Sequence, residues 1–329
     1  MAALYDVAAI GNAIVDVLAS ADEAFLGAEQ LAKGSMMLID EARAHQLYGR
    51  MAPGVEASGG SAANTVAGVA SLGGRACFVG KVAGDELGEI YAHDISAIGV
   101  TFTTPPLIGG PATGRCLINV TSDGERTMCT YLGAAQRLAP ADVDPRAIAD
   151  SSVLYLEGYL FDPDEARAAF AKAAHVARAA DRSIALTLSD AFVVERHRAA
   201  LLDFIDAEVD VLFANEAELG ALFETSDFDA ALAGLRGRVK IAAVTRGAKG
   251  AVVLAEGEAR AVPAEPVAKV IDTTGAGDQY AAGFLVGLAG GRGLEACSRL
   301  GAMAASEVIS HFGPRPLVNL QDLAASKGL

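Results

Sequence analysis

Short apolar runs alternate with amphipathic stretches along most of the chain. The runs are almost wholly hydrophobic, which is typical of strands buried on both faces of a sheet, and they lie at residues 5–10, 75–79, 153–156, 184–188, 209–213 and 241–245. Stretches typical of helices lie at about residues 41–51, 65–72, 86–98, 163–180, 193–205, 279–289 and 294–309. This alternation predicts an α/β fold with a doubly wound, mostly parallel sheet flanked by helices.

The alternation is interrupted between residues 100 and 132, where the pattern changes to short strands. Segments 113–121 and 126–132 flank the turn sequence Ser122-Asp123-Gly124-Glu125, which predicts a β-hairpin. We expect a single chain with a large α/β core and a small β-sheet lid, contributed by about residues 13–39 and 100–135. Two-faced strands of this kind would also suit a dimer interface, so we expect a monomer or a homodimer joined through the lid.

Composition narrows the range of partners and compartments. The chain has 329 residues, of which 52% are hydrophobic, so it can bury a large core. Its net charge of −15 argues against nucleic acid as a partner, because phosphate backbones are bound by clustered Lys and Arg. The 4 Cys and 5 His residues show no zinc or disulfide spacing. Because the sequence also lacks a signal-peptide pattern and an apolar run long enough to span a membrane, we expect a cytoplasmic protein.

The strongest candidate for chemistry is the sequence Asp272-Thr273-Thr274-Gly275-Ala276-Gly277-Asp278, directly before an apolar helix. Glycines at a helix N-terminus let the backbone approach a bulky anion, and the unpaired N–H groups and the helix dipole favour negative charge there. Asp278 lies one residue inside this opening, where it could stay ionised and accept a proton. A phosphate cradle beside a carboxylate base is what a kinase with a hydroxyl acceptor requires. The alternative is that Asp278 is only a first-turn acid favoured by the dipole.

Two weaker motifs lie in the first quarter of the chain. Asn12 and Asp16 follow the first strand, at the sheet edge where α/β proteins bind ligands, although an Asp at this place could equally form a turn. Gly59, Gly60 and Asn64 belong to a sequence of small residues that opens a helix. Such residues would let a ligand come close to the backbone, or they would simply close a turn before a tightly packed helix.

Two further motifs follow strands in the second half of the chain. Asn215 and Glu218 lie three residues apart at a helix start, so they share a face and could hold water around Mg²⁺. The alternative is an N-cap followed by a first-turn Glu. The turn that contains Thr245, Gly247 and Gly250 could lie under a nucleotide, or it could only connect two strands.

Together these motifs resemble the PfkB family of carbohydrate and nucleoside kinases, which has the ribokinase-like fold. Gly-Asn-x-x-x-Asp begins at Gly11, Gly-Gly-x-x-x-Asn at Gly59, Asn-x-x-Glu at Asn215 and Asp-Thr-x-Gly-Ala-Gly-Asp at Asp272, in the order of the family and over nearly the whole chain. The last motif is specific, and the ordered set is strong. Within the family the chain is most similar to adenosine kinases, although these often carry Asn where this chain has Thr274.

The resemblance implies an ATP-dependent transfer of the γ-phosphoryl group to the 5′-hydroxyl of adenosine, giving AMP and ADP, a step of purine salvage. It assigns Asp278 as the general base and the backbone of Gly275, Ala276 and Gly277 as the anion hole. In the acceptor site it implies Asp16, Gly60 and Asn64 on the ribose hydroxyls with Gly59 beside them, Asn12 supporting the pocket, Phe192 stacked on the purine and Arg126 as a lid contact.

The resemblance also implies ATP and Mg²⁺ as cofactors. Thr245, Gly247 and Gly250 would line the ATP site, while Asn215 and Glu218 would organise Mg²⁺ and phosphate through water. Some members of the family bind a monovalent cation such as K⁺ through oxygens at the positions of Asp272 and Thr274. The sequence leaves open whether this chain uses one.

Other functions share parts of this pattern. Sugar kinases have the residues that correspond to Asp16, Gly60, Asn64 and Asp278, so the acceptor could instead be a free sugar, as in ribokinase or fructokinase, or another nucleoside. A nucleotide-binding sensor on the same scaffold would be expected to lack Asp278, which is present. An NAD-dependent oxidoreductase is disfavoured because no Gly-x-Gly-x-x-Gly follows a strand.

Overall fold

The computed structural model describes residues 3–329 and contains two β-sheets with helices packed around them. The strands are β1 (Tyr5–Ile10), β2 (Ile14–Ser20), β3 (Met36–Leu38), β4 (Val55–Gly59), β5 (Ala76–Val79), β6 (Thr101–Phe102), β7 (Gly114–Val120), β8 (Arg126–Tyr131), β9 (Ser151–Glu157), β10 (Ser183–Thr187), β11 (Val211–Asn215), β12 (Ile241–Thr245), β13 (Ala251–Ala255) and β14 (Glu258–Val262). The helices are α1 (Glu23–Ala28), α2 (Glu41–Tyr48), α3 (Ser61–Ser71), α4 (Glu86–Ala97), α5 (Pro145–Ala149), α6 (Asp164–Ala179), α7 (Ala191–Glu208), α8 (Glu216–Phe223), α9 (Phe228–Gly234), α10 (Ala276–Ala289), α11 (Leu294–Val308) and α12 (Leu320–Ser326). Within residues 3–329, no helix combines the length and the apolar character needed to cross a membrane.

The larger sheet has nine strands in the order β14-β13-β12-β11-β10-β9-β1-β5-β6. The strands from β12 to β6 are parallel to their neighbours, and β13 and β14 add an antiparallel edge. The predicted doubly wound, mostly parallel sheet is therefore confirmed. Because the carboxyl ends of parallel strands lie at one edge, the residues that follow β1, β9, β10, β11 and β12 meet there.

Each central strand of this sheet is buried on both faces. In β1, Ala8 and Ile10 belong to one hydrophobic core, whereas Val7 and Ala9 belong to the other. Helices α5 to α9 pack into the first core, and α3, α4, α10 and α11 pack into the second. Burial on both faces explains why the strands appear in the sequence as continuous apolar runs rather than as alternating ones.

The smaller sheet has five strands in the order β3-β8-β7-β2-β4. β7 and β8 form the predicted hairpin, with Val120 paired to Arg126 across the turn. The predicted ranges 13–39 and 100–135 were wrong in two places. They omitted β4, which pairs antiparallel with β2, and they included β6, which pairs with β5 in the larger sheet. β4 was missed because Val-Glu-Ala-Ser-Gly contains few of the residues that favour strands.

Two helix starts differ from the predicted ones and both bring glycine to the N-cap. α3 begins at Ser61 instead of residue 65, and its N-cap is Gly60 with φ of 100°. α10 begins at Ala276 instead of residue 279, after Gly275 with φ of 77°. The predicted end of α2 at residue 51 was also too late, since the helix ends at Tyr48. Asp278 is consequently the third residue of α10 and lies in its first turn.

α10 is fixed by a very close crossing with α11. A Cβ atom added to Gly283 would lie 2.5 Å from the backbone N of Gly301 and 2.5 Å from the carbonyl of Leu300. Because the neighbouring atoms belong to the backbone of another helix, they cannot move aside as a flexible side chain would. The position of α10, and with it that of Asp278, therefore depends on a glycine far from the site.

We expect Gly283→Ala to lower the free energy of unfolding by a net ~1–2 kcal/mol. Overpacking a core costs up to about 3 kcal/mol, and the better helix propensity of Ala returns only about 1 kcal/mol of this. Urea unfolding with an unchanged slope measures the difference. Gly27→Ala in α1 is the control, because a Cβ atom there meets nothing within 4 Å and should be neutral or stabilising. Equal effects at the two positions would contradict the packing argument.

Candidate active site

A cavity of about 520 Å³ lies between the carboxyl edge of the larger sheet and the smaller sheet, and we call it the sheet-edge cavity. Its polar lining includes Asn12, Asp16, Gly60, Asn64 and Asp278. These predicted residues come from the loop after β1, from the loop before α3 and α3 itself, from β2 of the smaller sheet and from α10. The structure thus brings together positions that are more than 250 residues apart in sequence.

Asp278 lies partly buried at the floor of this cavity. One carboxylate oxygen accepts a hydrogen bond from Ser61 Oγ at 2.6 Å, and the other accepts one from Asn64 Nδ2 at 3.3 Å. Burial raises the pKa of Asp278 to about 6, although both hydrogen bonds oppose the shift. A carboxylate with this pKa is ionised at neutral pH and is a stronger base than an exposed Asp.

Asp16 lies on β2 with its carboxylate turned towards the same cavity. A Cβ atom on Gly59 would lie 2.4 Å from its Cγ, so only glycine at position 59 leaves room for this carboxylate. Burial raises the pKa of Asp16 to about 6; the positive charges of Arg315 and Arg126 oppose the shift, and the negative charge of Asp278 adds to it. Gly59, predicted to contact the acceptor, does not line the cavity and instead leaves room for the Asp16 carboxylate.

Glu157 at the end of β9 is a buried carboxylate that ties two parts of the site together. It accepts hydrogen bonds from Asn12 Nδ2 at 2.8 Å, from the Asn12 backbone N–H at 3.2 Å and from the Ala62 N–H at 2.8 Å. Burial raises the pKa of Glu157 to about 7 against these hydrogen bonds. The carboxylate thereby fixes the loop after β1 to the N-terminus of α3, where the helix dipole also favours its charge.

A second cavity, of about 530 Å³, lies on the other side of residues 273–277. It borders the start of β13 and the residues that follow β14, so we call it the hairpin cavity after the antiparallel β13–β14 pair. Its lining includes Thr245, Gly247 and Gly250, which the sequence assigned to one site, and also Ala276 of the predicted anion hole. Gly277 lines both cavities, whereas Gly275 and Asp278 face the sheet-edge cavity. The N-terminus of α10 is therefore the wall that the two cavities share.

Asn215 and Glu218 form a capping box at the start of α8, which is the alternative that the sequence left open. Glu218 accepts hydrogen bonds from Asn215 N at 2.9 Å and Nδ2 at 2.6 Å, and its own N–H donates to Asn215 Oδ1 at 2.9 Å. Both residues nevertheless line the sheet-edge cavity. Burial raises the pKa of Glu218 to about 7, as do the charges of Asp190 and Asp278.

One side of the sheet-edge cavity carries exposed apolar side chains, and its lining near the start of α7 also includes the polar Ser189, Asp190 and Arg196. Phe192, at the start of α7, projects into it with 69% of its surface exposed. Met36 and Leu38 of β3, which are also largely exposed, and Met128 and Ile118 of the hairpin complete this side. Exposed aliphatic and aromatic side chains that line one cavity provide a surface suited to a flat apolar group.

Arg126 is the predicted site residue whose surroundings differ most from expectation. It does not line either cavity; its guanidinium forms an ion pair with Asp272 and lies 6.0 Å from the ring centroid of Phe312. The Asp272 carboxylate also accepts hydrogen bonds from Thr274 Oγ1 at 2.8 Å and from the Gly313 N–H at 3.0 Å. Arg126 therefore connects the hairpin of the smaller sheet to the segment that precedes α10.

Sequence reasoning assigned no role to several residues that complete the site. Ser61 had a signal, because it is the first polar residue after the Gly59-Gly60 pair. Glu157 ends an apolar strand and could have been noticed on that ground. Gln279 and Arg315 had none, since one lies within an apolar helix and the other in a loop without a motif.

Comparisons with known proteins identify relatives of this chain. Residues 36–319 match the pfkB family carbohydrate kinase model. The crystal structure of an adenosine kinase from Sinorhizobium meliloti is 54% identical, covers 98% of this chain and 99% of that chain, and superposes with a TM-score of 0.92. The adenosine kinase of Saccharomyces cerevisiae is 26% identical over 93% of this chain and 95% of its own length. An ATP-dependent ribose-1-phosphate kinase of Halopiger xanaduensis is 32% identical over 79% of this chain and 84% of its own length.

These matches confirm the resemblance and the ribokinase-like fold that it implied. The family model covers most of the chain, and the superposed structures share both sheets. The relatives include kinases for a nucleoside and for a sugar phosphate, so the matches support the reaction type and leave the acceptor to be argued from the site. The chain belongs to the pfkB family of carbohydrate kinases and is a phosphotransferase that acts on an alcohol group.

Proposed function

We propose that this protein transfers the γ-phosphoryl group of ATP to the 5′-hydroxyl of adenosine, giving AMP and ADP. The observation that carries this proposal is the wall shared by the two cavities. ATP would occupy the hairpin cavity and adenosine the sheet-edge cavity, so that the γ-phosphate and the hydroxyl meet at the N-terminus of α10. Positioning of this kind is most of what phosphoryl transfer requires, because its transition state is loose.

Asp278 would act as the general base in this arrangement. It would take the proton of the hydroxyl as the new O–P bond forms, while the bond from the γ-phosphorus to the bridging oxygen breaks and ADP leaves. The N–H groups of Gly275, Ala276 and Gly277 would face the charge on the migrating phosphoryl group. A general base of this kind is typically worth ~10²–10⁴ in rate.

The two ends of the sheet-edge cavity favour a nucleoside. Asp16, Asn64 and the Gly60 backbone would bind the ribose hydroxyls beside Asp278, and Phe192 would stack on the purine. A bare sugar would fill only the polar end and would leave the apolar side exposed to water. The 54% identical Sinorhizobium relative is an adenosine kinase, which supports the same acceptor.

Mg²⁺ would accompany ATP and reduce the charge of its phosphates. Asn215 and Glu218 supply one amide and one carboxylate at the wall of the sheet-edge cavity, which meets the hairpin cavity at Gly277. Their oxygen atoms are ligands that suit this ion. Because their shortest hydrogen bonds are to each other, they would hold Mg²⁺ through its water molecules, using the remaining lone pairs. The smaller sheet would act as a lid that excludes water from the reacting groups.

Offering adenosine, other nucleosides, ribose and fructose in parallel tests the acceptor. We expect ADP release from Mg·ATP to be fastest with adenosine and to fall by about 10²-fold or more in Asp278→Asn, because the amide cannot accept the proton. Turnover of a free sugar alone would keep the chemistry and exclude the nucleoside. An Asp278→Asn variant with unchanged turnover would exclude Asp278 as the base.

The proposed stacking of the purine on Phe192 leads to a separate prediction for Phe192→Ala. Base stacking on an aromatic side chain is worth ~1–3 kcal/mol, so KM for adenosine should rise by about 5- to 160-fold with a smaller change in kcat. Any slow turnover of ribose should be unaffected, because ribose does not reach this side. Leu317→Ala removes another exposed apolar side chain, 73% exposed and outside both cavities, and should change neither. Equal losses with adenosine and ribose would exclude stacking.

The raised pKa values predict the acid limb of the pH profile. kcat/KM should fall as pH drops through about 6, because Asp278 and Asp16, each with a pKa near this value, must be ionised to accept a proton and to bind hydroxyls. The limb should shift to higher pH in Ser61→Ala, since the lost hydrogen bond favours the ionised form of Asp278. The other carboxylates near Asp278, Glu157 and Glu218, have pKa values of about 7 and accept no hydrogen bond from the Ser61 hydroxyl, which donates to Asp278.

Initial rates between about pH 5 and pH 9 measure the limb. Ser71→Ala is the matched control, because Ser71 ends the same helix and bonds only to Val318 and Leu320 outside the site. A limb that stays in place in Ser61→Ala would show that Asp278 does not control it.

A further inference from the structure

We propose that Arg315 is a positioning residue that fixes the side-chain amide of Asn64 and, through it, the base Asp278. The inference rests on the proposed function, since it takes Asp278 as the base. Arg315 lies in the loop between α11 and α12, outside every motif of the sequence and outside the lining of both cavities. Its guanidinium contacts Asn64 of the site, and only 18% of its side chain is exposed.

The geometry forms a relay of two hydrogen bonds. Arg315 Nε donates to Asn64 Oδ1 at 3.3 Å, and Asn64 Nδ2 donates to Asp278 Oδ2 at 3.3 Å. A guanidinium can only donate, and an ionised carboxylate can only accept. The amide between them therefore has one permitted orientation, with its oxygen towards Arg315 and its NH₂ group towards Asp278 and the cavity.

This orientation decides what Asn64 can do. Without Arg315, the amide would be oriented only by its hydrogen bond to Asp278, and its oxygen would lose its partner. With Arg315 in place, the NH₂ group can stabilise ionised Asp278 and can also donate to an acceptor hydroxyl oxygen. An Asn with a fixed orientation thus acts as a permanent donor beside the base.

Arg315 is itself held by a second carboxylate. Its Nη1 donates to Asp94 Oδ2 at 3.1 Å, and the same oxygen accepts from the Ser58 N–H at 2.8 Å and from Ser58 Oγ at 2.5 Å. Burial opposes ionisation of Asp94, but the hydrogen bonds from Ser58 and the charge of Arg315 outweigh it and lower the pKa. Ser58 lies on β4, directly before Gly59 and Gly60, so this pair also connects Arg315 to the loop that opens α3.

The backbone next to Arg315 is packed onto the same elements. Gln279 is fully buried, and its Nε2 donates to the carbonyl of Asn64 at 2.9 Å and to the carbonyl of Pro314 at 3.0 Å. A Cβ atom on Gly275 would lie 2.6 Å from Pro314 Cα. Asn64 is therefore linked to this loop twice, by its side chain through Arg315 and by its backbone through Gln279.

The charge of Arg315 has a separate effect on Asp16. Among the charged groups near Asp16, Arg315 is the one that most strongly lowers the pKa, followed by Arg126, whereas Asp278 raises it. Removal of Arg315 would leave Asp16 protonated at a higher pH. The acid limb of kcat/KM should therefore depend on the charge of Arg315, whereas kcat should depend on the orientation of the Asn64 amide.

The test compares Arg315→Met, which keeps the length and removes the charge and the donors, with Arg315→Lys, which keeps the charge. We expect Arg315→Met to lower kcat by about 10- to 100-fold, the usual effect of losing a hydrogen bond to a charged group, and to shift the acid limb of kcat/KM to higher pH. Arg315→Lys should restore the limb more fully than kcat, because a lysine lacks the planar fork. Arg260→Met, at a side chain 74% exposed, is the control.

A double-mutant cycle with Asn64→Ala separates positioning from general damage. If Arg315 acts through Asn64, Arg315→Met should reduce kcat little or not at all in the Asn64→Ala background. Multiplicative losses in the double variant would overturn the proposal. If Arg315→Met does not fold, the double variant Arg315→Met/Asp94→Asn, which leaves no unpaired charge of the pair, takes its place in the cycle, and Asp94→Asn alone is the reference.

The two levels of inference can fail separately. Full activity in Asp278→Asn would overturn the proposed base, and the role of Arg315 with it. An inactive Asp278→Asn together with an Arg315→Met variant that keeps the kcat and acid limb of the original protein would overturn the role of Arg315 alone.

Discussion

The site depends on keeping several carboxylates close together in a place that water reaches poorly. Asp16, Glu157, Glu218 and Asp278 all line the sheet-edge cavity, and burial raises the pKa of each. A buried carboxylate stays ionised only where donors or positive charges compensate for lost hydration. Each one here has its own: a helix N-terminus for Glu157, a capping box for Glu218, Ser61 and Asn64 for Asp278, and two arginines for Asp16. The elements around the site are arranged to supply these partners.

The need to accommodate these carboxylates gives the glycines of the motifs a structural role in addition to ligand binding. Glycines near a phosphate site are usually explained by the ligand, yet Gly11 and Gly59 are required by the protein itself. A Cβ atom on Gly11 would lie 2.4 Å from Glu157 Oε2, and one on Gly59 would lie 2.4 Å from Asp16 Cγ. Each glycine makes room for a carboxylate rather than for a ligand. The alternatives posed by the sequence, a structural turn or a ligand contact, are therefore not exclusive.

The sequence predicted the parts of the structure that repeat a simple pattern. The parallel strands were visible because burial on both faces leaves uninterrupted apolar runs, and the β7–β8 hairpin because its turn residues are specific. β4 was missed because it lies at the edge of the smaller sheet and is half polar. In the site, the motif residues Asn12, Asp16, Gly60, Asn64 and Asp278 line one cavity, but Glu157 and Arg315 were not assigned roles. Their contacts are with residues 145 and 251 positions away, and no local pattern encodes a contact of that range.

The division of the site also bears on how members of this family differ in acceptor. The groups that would bind hydroxyls and take the proton lie in the sequence motifs, on β2, at the start of α3 and in the first turn of α10. The apolar side of the cavity comes from elsewhere: Phe192 from the start of α7, and Met36, Leu38 and Met128 from the smaller sheet. Substitutions on that side would alter the fit of a purine without touching Asp278 or its donors. Acceptor choice can therefore change while the chemistry is kept, because the two depend on different elements of the fold.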